Sequence, residues 1–333
     1  MKAFSIDRYG KENGRIGEVP TPEVGAYDVL VQVHATSVNL LDSKISTGEF
    51  KRILPYSFPL ILGNDLAGVV LSVGASVRRF KPGDEVYARP PQERIGTFAE
   101  LIAVDENALA LKPKNISMEE AASLPLVALT AWQVLVETAK LKRGQKVFIH
   151  AGSGGVGTFA IQLAKHLGAF VATTTSASNV DWVKALGADV VIDYKKQNFE
   201  KVLQDYDVVL NSLGADELKK SLTILKPGGQ LISISGPPTP QFAQEQKLPW
   251  VLGLVMRMLS SGIRRRARKK NISYGFVFMR ASGAQLDKVT ASLFSRFPNR
   301  PRRLSQALRG GADFLRVERG EAQAQGILGM IKG

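Results

Sequence analysis

The run Val147-Phe148-Ile149-His150-Ala151-Gly152-Ser153-Gly154-Gly155-Val156-Gly157 joins an apolar strand to a helical pattern through a glycine-rich turn. Gly152, Gly154 and Gly157 stand at the G-x-G-x-x-G spacing, and each glycine has its own physical use. Gly152 permits the tight turn, Gly154 and Gly155 let backbone N–H groups approach a pyrophosphate, and Gly157 permits close helix–strand packing. The N-terminus of the following helix favours an anion, so the chemistry on offer is dinucleotide binding. Which dinucleotide is decided about 20 residues on, where an NAD site usually carries Asp or Glu for the ribose 2′-hydroxyl. This chain reads Ala172-Thr173-Thr174-Thr175-Ser176-Ala177-Ser178-Asn179 there, with no acid before Asp181. Hydroxyl and amide donors without a repelling carboxylate favour a 2′-phosphate, and therefore NADP(H). The alternative is a strand end whose polar residues cap a helix starting near Val180, with Asn179 as the cap.

Composition closes several other chemistries. The 333 residues contain no cysteine, which excludes disulfides, Cys-ligated zinc, iron–sulfur clusters and a thiolate nucleophile. His34, His150 and His166 are the only histidines, and a multi-histidine metal site is not expected. No residue stands out as a general acid, so the proton of any reduction is expected from solvent. The N-terminal MKAFSIDRYGKENG lacks the parts of a secretory signal, and a cytoplasmic location is expected.

Two kinds of element must position these groups. The first 110 or so residues read as β-rich, with apolar runs at Val29 to Val38 and Asp65 to Val73 and shorter segments near Val86 and Phe98 to Val104. Ser117 followed by Glu120 is a capping box that opens a helical pattern through Leu141, and a domain boundary belongs near it. From Lys146 strands and helices alternate. Strands are predicted at Val147 to Ala151, Phe170 to Thr175, Val190 to Asp193, Val208 to Leu210, Gln230 to Ile234 and Tyr274 to Met279, with helices starting near Val156, Val180, Phe199 and Asp216. Repeated βα units of this length imply a parallel sheet covered on both faces.

The formal net charge of +14 is confined to one quarter of the chain. Residues 1 to 255 hold 27 Lys and Arg against 26 Asp and Glu, and residues 256 to 333 hold 17 against 4. Within that quarter, Leu248 to Leu259 is an apolar stretch too short to span a bilayer, and Arg264, Arg265, Arg266, Arg268, Lys269 and Lys270 follow it. One reading is attachment to a membrane surface and another is nucleic-acid binding. The preferred one is a helical excursion that packs its apolar part beside a cofactor cleft or a second copy and leaves the cations in solvent.

Several motifs, in order, resemble the zinc-independent medium-chain dehydrogenase/reductases, in the branch of quinone oxidoreductases and alkenal or enone reductases. They are Asn39-Leu40-Leu41-Asp42, the stretch Pro59 to Val70 containing Gly63-Asn64-Asp65 and Ala67-Gly68, Lys81-Pro82-Gly83-Asp84, Gly96-Thr97-Phe98-Ala99-Glu100, Ala121 to Pro125 with Leu129-Thr130-Ala131, and Ala151 to Gly157. The resemblance covers residues 1 to about 290. It implies an α/β protein with a GroES-like β-rich catalytic domain at 1–118, a Rossmann doubly wound parallel-sheet domain at 119–290, and a return to the first domain at 291–333. The active site would lie in the cleft between them. Zinc-dependent relatives place a histidine where this chain has Asn64, so no metal is expected.

The resemblance further implies that Gly154, Gly155 and Val156 contact the pyrophosphate and that Ser176, Asn179 and Tyr194 meet the 2′-phosphate. Ser212, Leu213 and Ser235 would line the path to the nicotinamide, with Thr130 beside it and Phe276 and Phe278 closing over it. Asn39, Asp42, Tyr56 and Thr130 would line a pocket for a small-molecule quinone or α,β-unsaturated carbonyl. Asn39 and Asp42 could instead cap a helix at 40 to 46, and Phe276 and Phe278 could be ordinary strand residues. A homodimer pairing the strand at Tyr274 to Met279 is expected from relatives. After Leu286 the chain leaves the family's pattern, reading Phe294-Ser295-Arg296-Phe297-Pro298-Asn299-Arg300-Pro301-Arg302-Arg303 where relatives close their catalytic domain, and Val317 to Gly320 and Ala324 to Ile331 only faintly resemble the usual ending.

Overall fold

Apolar alternation builds the first sheet. In the computed structural model, which describes residues 1–10, 13–51, 54–294, 314–318 and 321–322, the strand β3 (Asp28–Ser37) buries Val29, Val31, Val33 and Ala35. Before it come β1 (Lys2–Ile6) and β2 (Gly14–Glu18), an antiparallel pair extended by β4 (Leu60–Ile61). β2 escapes the hydrophobic pattern because it is polar and largely exposed, whereas β1 buries Ala3, Phe4 and Ile6. β5 (Asp65–Val73) pairs antiparallel with β3, followed outward by β6 (Glu85–Ala88) and β8 (Leu109–Leu111), while β7 (Leu101–Asp105) pairs with the start of β3. The core of this unit is Val29, Val31, Val33, Leu66, Val70, Val86, Ile102, Val104 and Leu109. Late in the chain, the strand Phe314–Glu318 pairs antiparallel with the Ala35–Ser37 end of β3, so the segment returns to this sheet.

The second unit is one parallel sheet. Its strands are β9 (Lys146–Ile149), β10 (Phe170–Thr175), β11 (Val190–Asp193), β12 (Tyr206–Asn211), β13 (Leu225–Ser233) and β14 (Ser273–Phe276), in the order β11-β10-β9-β12-β13-β14. That order is the doubly wound one: the chain winds outward from β9 in one direction, then restarts beside β9 and winds out in the other. Phe148, Ala172, Ile192, Phe199, Tyr206, Val209, Leu218, Leu222 and Leu231 pack in one cluster of the core.

By compactness the chain divides between Leu129 and Thr130 and again between Met279 and Arg280. The helix Met118–Ala122, capped reciprocally by Ser117 and Glu120 as the sequence predicts, packs on β3 and β5. The helix Gly283–Val289 packs on β8, and the buried Tyr87 hydroxyl donates to Leu286 O at 3.0 Å. Three expectations need correction. The helical pattern from Ser117 breaks at Ser123–Leu124 before Pro125, a residue suited to starting a helix rather than continuing one. The helix predicted near Phe199 is a short 3-10 turn, Phe199–Lys201, and the left-handed Asp205 then leads into β12. Finally, β14 stops at Phe276, where its partner β13 ends at Ser233, so Phe278 lies beyond the strand. The Arg-rich stretch 295–313 and residues 319–320 and 323–333 lie outside the described residues.

Candidate functional site

The doubly wound order sets β9 beside β12, and a crevice forms outside the carboxyl ends of such a pair because their connections leave in opposite directions. At that end of β9, Ala151 is left-handed (φ 52°), Gly152 N donates to Thr174 O at 2.8 Å, and the helix Gly155–His166 starts from Gly154. No side chain caps that helix, which leaves its first N–H groups to an outside acceptor. The glycines divide by what they answer to. A Cβ on Gly152 would strike the Thr173 side chain, and one on Gly157 would strike the backbone oxygen of Ala151. On Gly154 a Cβ would meet only Ala151 O, at 3.3 Å. Gly152 and Gly157 are therefore required by the protein's own packing, whereas a Cβ on Gly154 would ask only a small shift of Ala151 O, and the bare backbone there leaves room for a group that approaches from outside. A pyrophosphate fits that requirement.

The rim beyond β10 is a small hydrogen-bonded cluster. Asn179 Nδ2 donates to Ser176 Oγ at 3.1 Å, the Ser176 and Ser178 hydroxyls lie 3.2 Å apart, and Trp182 Nε1 donates to Asn179 Oδ1 at 3.0 Å. Asn179 occupies the N-cap position of the helix Val180–Ala185, but its side chain makes no capping bond. Parallel pairing of Thr175 with Asp193, continued by Tyr194 N donating to Thr175 O at 3.1 Å, brings Tyr194, Lys195 and Lys196 alongside. All three are exposed. Lys195 and Lys196 escaped the sequence reading because they follow β11, and only the β10–β11 register brings them to this rim.

Across the crevice, Ser235 Oγ donates to Leu213 O at 2.8 Å and Ser212 Oγ reaches His150 O at 3.5 Å. The buried Asn211 Nδ2 and Thr175 Oγ1, at the ends of β12 and β10, have no hydrogen-bond partner. His150 is buried against Ser221, 2.9 Å from Nε2, and burial pushes its pKa down to about 3, which makes it a neutral imidazole at neutral pH. Phe276 and Phe278 both pack on Phe242, with centroids 5.2 and 5.9 Å away, so each has an aromatic partner within the unit. Thr130 is buried in the helix Pro125–Trp132.

In the first unit, a chain of buried polar groups runs beneath Asn39. Asp42 Oδ2 accepts from Asn39 N at 2.7 Å, the capping role open to it in the sequence, and Asp42 Oδ1 accepts from Asn64 Nδ2 at 2.6 Å. Asn64 Oδ1 in turn accepts from Arg89 Nη2 at 3.2 Å. Beside it, Asp65 Oδ2 takes bonds from Ser37 Oγ (2.8 Å) and Asn39 Nδ2 (2.9 Å), and Oδ1 takes one from Leu126 N (2.8 Å). Burial pushes Asp42 up to about 6 and Asp65 up to about 7, and it lowers the pKa of Arg89, whose Nε has no partner. The half-buried Tyr56 spends its hydroxyl on Gln92 O at 2.9 Å. Asp65 and Arg89 were missed as site residues because β3, β5 and β6 must pair before the cluster exists.

Residues 25–114 match the family described as alcohol dehydrogenase GroES-like domain, and residues 155–261 match zinc-binding dehydrogenase. The chain is 34% identical to the mitochondrial NAD(P)H oxidoreductase RTN4IP1 of Homo sapiens, over 99% of this chain and 89% of that protein. It belongs to the medium-chain dehydrogenase/reductase family. Within that family it is 40% identical to the chloroplastic NADPH-dependent alkenal/one oxidoreductase of Arabidopsis thaliana, over 72% of this chain and 64% of that one. The quinone oxidoreductase of Coxiella burnetii superposes with a TM-score of 0.76 at 28% identity, covering 96% of this chain and 99% of that one. The matches place this dehydrogenase/reductase in the quinone oxidoreductase and alkenal reductase branch, and its activity is that of an oxidoreductase.

Proposed function

We propose that this protein is an NADPH-dependent reductase of conjugated acceptors, α,β-unsaturated carbonyls or quinones. The observation that carries the coenzyme is Gly154, bare toward solvent at an uncapped helix start, beside a rim of hydroxyl, amide and lysine groups. Similarity to an alkenal/one oxidoreductase and to a quinone oxidoreductase supports the acceptor class. When bound, NADPH supplies the hydride. The chain does the rest. The first N–H groups of Gly155–His166 take the pyrophosphate, and Ser176, Asn179, Tyr194 and the lysines beside them take the 2′-phosphate.

On the substrate side, negative charge develops on the acceptor oxygen and needs preorganised donors. Asn39 and Tyr56 are the candidates, both half-buried, and each must release a partner to donate: the Asn39 amide gives its two N–H groups to Ser37 Oγ and Asp65 Oδ2, and the Tyr56 hydroxyl gives its proton to Gln92 O. Asp65 and the Asp42–Asn64–Arg89 chain act as positioning groups under Asn39. With the hydride and one proton from solvent, an enone or enal becomes the saturated carbonyl and a quinone becomes the hydroquinone.

The test is a panel of NADPH and NADH with enones, enals, quinones and simple alcohols, read by loss of nicotinamide absorbance. Turnover of conjugated acceptors with NADPH is expected. Alcohol oxidation with NAD alongside silence toward every conjugated acceptor would overturn the proposal.

A further inference from the structure

The excursion between β13 and β14 does not hide its apolar part. The helix Trp250–Leu259 buries Met256 and half-buries Leu252 and Gly253, packing against the helix Pro240–Glu245. Its other face carries Trp250, Val251, Leu254, Val255, Met258 and Leu259, all exposed, with Trp250 and Met258 each at 76%. These residues recur at four-residue spacing and so form one continuous apolar stripe. The next helix, Ser261–Lys269, begins after the single turn residue Ser260 and buries only Ile263 and Ala267. Arg265, Arg266, Arg268, Lys269 and Lys270 face solvent, and among the described residues none of them pairs with an acid. No acid occurs in the sequence between Glu245 and Asp287.

We propose that these two helices dock the protein on the surface of an anionic lipid bilayer, the apolar stripe entering the interface and the cations meeting the headgroups. Charge selects this occupant over the others. An isologous contact between two copies through the same stripe would set two acid-free cationic clusters against each other. A nucleic acid would answer the cations but leave five exposed aliphatic or Met side chains unused, with Trp250 the only aromatic for stacking. A lipid surface satisfies both halves at once. No helix among the described residues is long and apolar enough to cross a membrane, so attachment would be to the surface. The inference does not depend on the oxidoreductase reading.

The experiment is flotation of the full-length protein with vesicles of phosphatidylcholine alone or containing phosphatidylserine, at physiological ionic strength. Binding is expected only to the phosphatidylserine vesicles, with release by high salt. Two variants on exposed positions separate the halves: Trp250→Ser with Met258→Ser, and Arg265→Gln with Arg266→Gln and Lys269→Gln. Each should keep the wild-type melting temperature and lower partitioning at least about tenfold. The proposal is overturned if neither vesicle type binds, or if the apolar double variant floats as well as wild type. It is equally overturned if the double variant turns a wild-type dimer into monomers without any vesicle binding, or if the basic variant loses RNA binding while vesicle binding is absent.

Discussion

Around Gly154 the second unit offers backbone N–H groups fixed by a strand, a turn and a helix; around Asp65 the first unit offers buried side chains that hold one another, with backbone N–H groups of Asn39 and Leu126 meeting the two carboxylates. The loop carries its donors at a helix start that needs no ionisable residue. The buried cluster holds two carboxyls and a guanidinium, all nearly solvent-free, and each depends on its neighbours for compensation. A backbone site should therefore lose ligand before it loses stability, and the side-chain cluster should do the reverse.

The largest effect is expected in the cluster. Arg89→Met removes the cation bonded to Asn64 and leaves Asp42 and Asp65 buried without it, which should cost about 3 kcal/mol of stability. Denaturant unfolding would read this, with NADPH affinity of the folded variant unchanged. Full stability in Arg89→Met would mean that the cluster is not interdependent, and the contrast would fail.

The loop can be split internally by a slightly smaller effect. In Gly157→Ala the new Cβ strikes the Ala151 backbone, and a loss of about 1–3 kcal/mol is expected in thermal or denaturant unfolding. Gly154→Ala meets Ala151 O only at 3.3 Å, so it should unfold near wild type while NADPH affinity, measured by titration, falls at least about tenfold. Tight NADPH binding by Gly154→Ala would remove the loop as the pyrophosphate cradle.

The same contrast explains what the sequence could disclose. Gly152, Gly154 and Gly157 sit within six residues, and their spacing encodes a local backbone path, so both the loop and the sheet around it are readable from sequence. Asn64, Asp65 and Arg89 become one cluster with Ser37, Asn39 and Asp42 only through the pairing of Ser37 with Asp65 and Leu66 with Ala88. Nothing local marks that register. Asn64 was legible only as the residue standing where relatives have histidine, not as a bridge between a carboxylate and an arginine. Lys195 and Lys196 were hidden for the same reason, since their place depends on β10 and β11 lying side by side. The stripe on Trp250–Leu259 was left open for a different reason: its apolar spacing suits a covered helix and a membrane-surface helix alike, and only the packing shows which face the rest of the unit leaves uncovered.

Coenzyme choice gives a smaller and more selective test of the backbone site. Ser176→Asp restores a carboxylate at the end of β10, where it would repel a 2′-phosphate. NADPH affinity should fall about tenfold while NADH affinity changes little, as read by titration with each coenzyme. Equal losses for both would place the adenosine end elsewhere and leave the rim as an ordinary polar surface.

The smallest expected effect tests the cost of the side-chain cluster through pH. Asp65 is raised by burial from the ordinary carboxylate value of 3.8 to about 7, so the folded state holds this proton through a pH range in which the unfolded chain releases it. A raised folded pKa contributes stability in full below 3.8, and that contribution is lost as pH rises toward about 7. Other carboxyls act in the opposite direction, as Asp28 does where the Arg94 guanidinium holds it below the usual range, but they are common to wild type and variant. The informative quantity is therefore the difference in melting temperature between wild type and Asp65→Asn. That difference should move against wild type as pH rises from about 4 to about 7 and then level off, because above that range Asp65 is ionised in both states. A difference independent of pH would mean that the hydrogen bonds from Ser37, Asn39 and Leu126 fully offset the burial of the charge, and the cluster would then impose no more electrostatic cost than the glycine loop does.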